Sequence, residues 1–306
     1  FSYSILNKSL DARRKDRIEW QYRVGVVSPR LKQGRPPVVP TLEHLPVGKG
    51  RHVVVVGSGP AGIFAASYLV RSGFRVTVLE RGSTVDRRKA AIDAFEAGGA
   101  FPERNNYSFG EGGAGTFSDG KLSSRTKSIG PERNYIFADF VAAGAPTEIN
   151  WMTHPHLGSD NLFTMTRRMR EGLIERGIEF RFDNLARDIG LSGERVASVD
   201  TAAGRIEADW VIFACGHSAL ETFRMLMDRG VPFRPKNFAI GFRAEHEQGL
   251  INRAQWGIDT LPGVKAAEYR LTAQANDGTG VYSFCMCPGG RVVPAAAYAG
   301  SNVVKG

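Results

Sequence analysis

The sequence predicts an α/β fold, a parallel sheet with crossover helices and a β-meander, followed by part of a mixed α+β domain. Three observations predict it. Val53 to Val56 is a short, wholly apolar, β-branched run, the composition of a strand buried on both faces of a parallel sheet. Gly57, Gly59 and Gly62 follow at G-x-G-x-x-G spacing, with a helical stretch behind them. Arg75 to Leu79 then makes a second apolar strand that ends on an acid, Glu80. Together these form a Rossmann-like unit of the ββα type, a device for holding the pyrophosphate of a dinucleotide.

Residues 1–33 contain an alternating stretch, Ile18 to Val27, that predicts a strand, and they read as the remnant of a small N-terminal α+β domain. Residues 34–50, with Pro36, Pro37, Pro40 and Pro46, read as a linker. Residues 51–234 form the dinucleotide-binding domain, and 235–306 begin a truncated substrate domain. Phe1 in place of Met, and a chain that stops at Gly306 in apolar sequence, lead us to expect a fragment.

The first glycine permits the tight turn, the second lets backbone approach phosphate, and the third lets helix and strand pack closely. Pro60 suits the first helical position, where its missing N–H costs little. The helix N-terminus offers amides and a dipole to an anion. The candidate turn therefore comprises Gly57, Gly59, Pro60, Ala61 and Gly62, with Glu80 and Arg81 at the end of the next strand. Glu80 stands 23 positions after Gly57, near the roughly 20-residue spacing of a ribose-binding carboxylate. Its charge opposes a 2′-phosphate and so argues against NADP, while FAD and NAD both remain.

Further helices are predicted over Thr84–Ala97, ended by Gly98 and Gly99, over Pro131–Ala143, and over Asp160–Arg176. In the last, Leu162, Met165, Met169 and Leu173 share one apolar face. Ile178 to Phe182 reads as a strand. Leu185 to Ala208 reads as a meander with turns at Ser192-Gly193 and Ala203-Gly204. Trp210 to Cys215 is a buried strand ended by Gly216, and Ser218 is placed to cap a helix running to Arg229. Beyond it, Phe238 to Arg243 is strand-like, and His246 is a candidate proton donor whose simpler role is a structural hydrogen bond.

Gly110 to Gly115 repeats the G-x-G-x-x-G spacing without a preceding apolar strand, which excludes a second nicotinamide fold there. Exposed amides in such a loop suit close approach to a ring or phosphate, and Lys121 at its end is a candidate partner for an anion. The chain has 306 residues, is 42% hydrophobic, and has no apolar window long enough to predict a membrane-spanning helix. Its cysteines, Cys215, Cys285 and Cys287, make no disulfide framework, which suits a reducing cytoplasm. Net charge is +9, and residues 1–52 hold eleven Lys/Arg against four Asp/Glu, a net of +7. Without an aromatic stacking signature, the cluster Arg13, Arg14, Lys15 and Arg17 reads as a solvated face and not a nucleic-acid surface. His154-Pro155-His156 reads as a loop before a helix, not a metal site.

The segment FGEGGAGTFSDGKL (Phe109 to Leu122), with VVVVGSGPAGIFAA, PHLGSDNL (Pro155 to Leu162), VIFACGHS (Val211 to Ser218) and YSFCMCPGG (Tyr282 to Gly290), resembles a bacterial family of uncharacterised FAD-dependent dehydrogenases. These are glutathione-reductase-like flavoproteins, and SLDARRKDRI (Ser9 to Ile18) is similar to the family's small N-terminal domain. The resemblance implies FAD in the Gly57–Gly62 turn and Glu80 on the adenosine ribose. It implies Gly112, Gly113, Ala114, Gly115 and Thr116 along the pyrophosphate and flavin, and Ala214, Cys215 and Gly216 where the chain passes the cofactor. Cys215 replaces a threonine usual in the wider superfamily, and the late Gly-Asp motif is absent, which implies weakened FAD binding by residues 1–306. The expected activity is hydride transfer between an organic substrate and the flavin. An FAD-dependent RNA-modifying enzyme and an NAD-dependent dehydrogenase are the alternatives. Cys285-Met286-Cys287 is expected to be buried and reduced, with a redox pair facing the flavin as the second reading.

Overall fold

The computed structural model describes every residue except 32, 33, 35–37, 119, 125, 285, 302 and 306, and for 159 and 160 the backbone alone. It opens on an antiparallel hairpin, β1 (Ser2–Asp11) and β2 (Glu19–Val27). The sequence signals only β2, because β1 changes register between Ile5 and Asn7 and so breaks the period of two. The hairpin shares a core with later sequence. Leu10, Ala12 and Ile18 pack against Ile251, Trp256 and Ala267, and Lys8 exchanges backbone hydrogen bonds with Trp151 and Thr153 at 2.7 and 3.0 Å. In the basic cluster, Arg13 pairs with Asp11, Arg14 with Asp16 and Arg17 with Glu19.

The central unit runs β3 (His52–Val56), α1 (Pro60–Arg71), β4 (Arg75–Leu79) and α2 (Val85–Glu96). After a long loop come α3 (Gly130–Ala142), α4 (Ser159–Glu175) and β5 (Glu179–Arg181). The meander is β6 (Ala186–Ser192), β7 (Arg195–Thr201) and β8 (Gly204–Glu207), followed by β9 (Trp210–Phe213) and α5 (Leu220–Asp228). The remainder holds α6 (Gln248–Trp256) and short strands β10 (Thr272–Gln274), β11 (Gly280–Tyr282), β12 (Val293–Pro294) and β13 (Val304–Lys305). Among the described residues no helix is long and apolar enough to cross a membrane.

The parallel sheet has the order β5-β4-β3-β9. Successive side chains of β3 serve opposite faces, which is why the run is apolar throughout. Val53 and Val55 pack with Ile63 and Ala66 of α1 and Leu173 of α4. Val54 and Val56 pack with Ala186, Val199 and Ile206 of the meander. Burying each such valine contributes about 1.5–3 kcal/mol. The result is three layers: meander, parallel sheet, helices. The chain runs outward from β3 through β4 to β5 and then returns to β9 on the other side of β3. That reversal makes a crevice at the carboxyl ends of β3 and β9, where open α/β sheets bind ligands.

Two sequence expectations change. Ser218 does not cap α5: the N-cap residue is Ala219, with no side-chain cap, and the Ser218 hydroxyl lies 3.3 Å from His217 Nε2. Tyr298, distant in sequence, takes the role by accepting the Leu220 amide at 2.9 Å. Phe238 to Arg243 alternates like a strand, yet it lies outside every strand, with Phe238 and Ile240 86% and 93% exposed. An alternating pattern yields a strand only where a ladder partner and an apolar face are available.

Candidate functional site

A cleft of about 400 Å³ opens where β3, β4 and β9 end. Gly57 leaves β3 at φ +110°, and a Cβ there would stand 2.4 Å from the Ala214 carbonyl oxygen, just past β9. Glycine is therefore required by both conformation and space. Gly59 is the N-cap of α1 with no side chain capping the helix, and Pro60 follows in the first turn. The uncapped N-terminus presents unpaired amides and the positive end of the helix dipole. Gly57, Gly59, Pro60 and Ala61 line the cleft. Gly62 lies behind it, where a Cβ would meet the Gly57 carbonyl oxygen at 1.9 Å, so its role is close packing of helix on turn.

The second glycine loop meets the first. The Gly112 amide donates to the Ser58 carbonyl at 3.0 Å, and a Cβ on Gly113 would stand 3.0 Å from Gly59 Cα. Gly113, Ala114 and Gly115 line the cleft. Gly112 and Thr116 do not: a Cβ on Gly112 would run into the Thr116 hydroxyl, and Thr116 is buried with its hydroxyl donating to the Glu111 carbonyl at 3.3 Å. From the β9 end come Ala214, Cys215 and Gly216. Burial pushes the Cys215 thiol up, so at neutral pH it is a thiol and not a nucleophilic thiolate.

Glu80 lines the cleft and is only 6% exposed. Its Oε2 accepts from the Ser58 amide at 3.1 Å and the Ser58 hydroxyl at 2.7 Å. Its Oε1 accepts from the Gly82 amide at 2.9 Å and the Gly110 amide at 3.1 Å. One carboxylate thus ties both glycine loops to the end of β4. Arg81 lays its guanidinium over Phe109, 3.8 Å from the ring centroid, and pairs with Glu221 of α5.

Two residues that no sequence signal marks hold the second loop from behind. Arg88 of α2 is fully buried. Its Nε donates to the Asn106 carbonyl at 2.9 Å, and its Nη1 to the carbonyls of Glu111 and Gly113 at 2.7 and 2.8 Å. Burial pulls this guanidinium down to about 10, against the opposing charges of Glu80 and Glu111, which leaves it charged at neutral pH. Glu111 is equally buried, accepts from the Val85 amide at the start of α2 at 2.6 Å, and pairs with Arg170 at 2.7 Å. The fixed loop is therefore a charged, hydrogen-bonded construction beneath a surface of glycines.

The cleft suits a dinucleotide. Its volume lies in the range of roughly 300–1,000 Å³ typical of cofactor pockets. Its paired glycine loops leave room that any Cβ would fill, and its helix terminus complements a diphosphate. Asn184, missed by the sequence reading, lines it with a buried Oδ1 that has no hydrogen-bond partner among the described residues, an acceptor available to a ligand. Ser108, Phe109 and Gly110 also line it; only Gly110, the first glycine of the second cluster, carries a legible signal.

The other sequence candidates gather elsewhere. Lys121, His154 and His156 line a second cleft of about 350 Å³. His246 Nε2 lies 2.8 Å from the Tyr269 hydroxyl, and the Glu245 carboxylate accepts the Val292 amide. Of the C-x-C pair, Cys285 lies outside the described residues, while Met286 lines the second cleft.

Residues 55–85 match the family model "NAD(P)-binding Rossmann-like domain", and residues 237–306 match "FAD-dependent protein, C-terminal domain-like". An uncharacterised protein of Clostridium beijerinckii is 38% identical over 317 residues, which takes in 99% of this chain and 59% of that relative. The chain thus spans less than two thirds of the relative's length. Among solved structures, THI4 of Thermovibrio ammonificans is similar at a TM-score of 0.38 with 16% identity, over 60% of this chain and 64% of that one. The L-amino acid deaminase of Proteus myxofaciens is similar at 0.29 with 18% identity, over 60% and 49%. The chain therefore joins a Rossmann-like dinucleotide unit to a C-terminal domain of the FAD-dependent-protein type.

Proposed function

We propose that a chain so built is a flavoprotein oxidoreductase that holds FAD in the first cleft and serves hydride transfer between the flavin and an organic substrate. The meeting of two glycine loops over the uncapped start of α1, at the crevice between β3 and β9, is the observation that supports this most strongly. The C-terminal match to FAD-dependent proteins favours FAD within it.

When bound, FAD supplies the ring that takes or gives the hydride. The chain's own residues bind and orient. The amides at the start of α1 would receive the diphosphate beside the Gly113–Gly115 turn, and the helix dipole would stabilise its charge. Glu80 keeps the two loops in register, and its carboxylate, which lines the cleft, would face the ribose. Asn184 offers an unpaired acceptor, and Arg88 prevents the second loop from relaxing into the cleft. The match of residues 55–85 to NAD(P)-binding domains favours a second reading, an NAD-dependent dehydrogenase using the same turn.

Purifying the full-length protein, recording its visible spectrum and identifying the released cofactor by mass decides between these. A yellow protein that releases FAD and is bleached anaerobically by a reductant is expected. A colourless protein that releases NAD establishes the second reading.

A further inference from the structure

The loop that lines the first cleft at Ser108 to Gly115 continues to Lys121, at the second cleft. There Lys121 and His156 face each other as an isolated antiparallel bridge. The Leu122 amide donates to the Pro155 carbonyl at 3.0 Å and the Leu157 amide to the Gly120 carbonyl at 3.1 Å. These bonds flank the pair, so Lys121 and His156 are opposed with their side chains close together on one face. Glu268 reaches both: its Oε2 lies 3.4 Å from Lys121 Nζ, and its Oε1 lies 3.3 Å from His156 Nε2. Burial raises the Glu268 carboxyl, but the hydrogen bond from His156 and the charge of Lys121 outweigh it and hold the group below its ordinary range. His154, Arg270, Ser123 and Tyr269 also line the cleft. Glu268 is thus already engaged with Lys121 and His156, while Arg270 has no acidic partner among the described residues. Among the described lining residues, Lys121 and Arg270 stand with the single carboxylate of Glu268, an excess of positive charge that protonation of either histidine only increases.

We propose that this second cleft binds the oxyanion of an organic substrate, a carboxylate or phosphate, with Arg270 and Lys121 as its anchors and Glu268 as the carboxylate that holds Lys121 and His156 in place. A guanidinium offers paired donors in the geometry an oxyanion accepts. A cleft of about 350 Å³ accommodates a small organic acid. That this oxyanion belongs to the compound oxidised or reduced rests on the flavoprotein reading and on the loop shared by the two clefts. The oxyanion site itself stands without it.

The test is a titration of the full-length protein with succinate and, separately, with inorganic phosphate, at constant ionic strength made up with chloride. The imidazole NMR signals of His156, assigned through His156→Gln, report binding. Saturable shifts with at least one of the two anions are expected, and the tighter anion names the class. Arg270→Met, at an exposed position, should weaken binding by about 10-fold or more through loss of a charge-assisted pair. Glu268→Gln should tighten it by roughly 3-fold or more, because a negative charge is withdrawn from the site. A purely structural ion pair predicts no tightening. Linear, unsaturable responses to both anions overturn the proposal, as does unchanged affinity in Arg270→Met. Neither outcome depends on bound flavin, so a failed titration with FAD present leaves the flavoprotein reading standing, and saturable binding without FAD leaves this proposal standing.

Discussion

At the scale of single residues, the site depends on positions where a side chain has no room. Gly57→Ala would place a methyl group 2.4 Å from the Ala214 carbonyl oxygen at a φ of +110°. Backbone strain of this kind costs on the order of 1–3 kcal/mol, before the clash is counted. The variant should melt at lower temperature and retain no cofactor, as calorimetry and absorbance will show. Glu80 carries a different risk, because it accepts hydrogen bonds from Ser58, Gly82 and Gly110. Glu80→Ala leaves these buried donors unpaired at about 1–3 kcal/mol and removes a ribose acceptor worth about 1.5–3 kcal/mol. Urea unfolding and cofactor titration should both report losses. An affinity loss with full stability would show that the carboxylate serves the ligand and not the loops. The three glycines and Glu80 were legible because each answers to a local rule of turn or spacing. Arg88, Glu111 and Asn184 were not, because their roles arise from contacts tens of residues away, which carry no local pattern.

At the scale of elements, the helices and parallel strands of residues 52–228 fall within a residue or two of where periodicity puts them, but β9 is not the buried strand expected, because Trp210 is exposed and Val211 to Phe213 are half-buried. Their apolar faces are continuous and the elements are closed by glycine or by polar turns. β1 and the stretch 238–243 escaped this reading for opposite reasons: one forms a strand despite a broken pattern, and the other carries a strand pattern without a partner. Leu79 sits 1% exposed where β4 meets the meander. Leu79→Ala should therefore cost about 2–5 kcal/mol in denaturant unfolding. His52 links the sheet to the meander, with Nδ1 2.6 Å from the Glu207 carbonyl and Nε2 2.9 Å from the Thr77 hydroxyl. Burial pulls its pKa below the ordinary value. The unfolded chain then takes up a proton near pH ~6.5 before the folded one does. Stability should fall as pH drops below about 6.5 and level off above it. Urea midpoints at acidic and neutral pH should differ less in His52→Gln than in the natural chain.

At the scale of the whole molecule, the two clefts lie at opposite ends of one loop, Ser108 to Leu122, which α2 and α4 hold from behind through Arg88 and Arg170. Arg88 and Arg170 hold the half of that loop that lines the first cleft, the proposed dinucleotide site, and the chain leads on from it to the basic cleft. The hairpin β1–β2 packs on α6, so the start of the chain braces the domain that supplies Glu268 and Arg270. The central claim is that the paired glycine loops grip the diphosphate of FAD. Its most direct test is the FAD content per chain of the full-length protein and of its Gly59→Asp variant, purified side by side and matched by circular dichroism. Near-stoichiometric FAD in the natural protein and none in the folded variant is the predicted result. Equal FAD in both, or none in either, would contradict it.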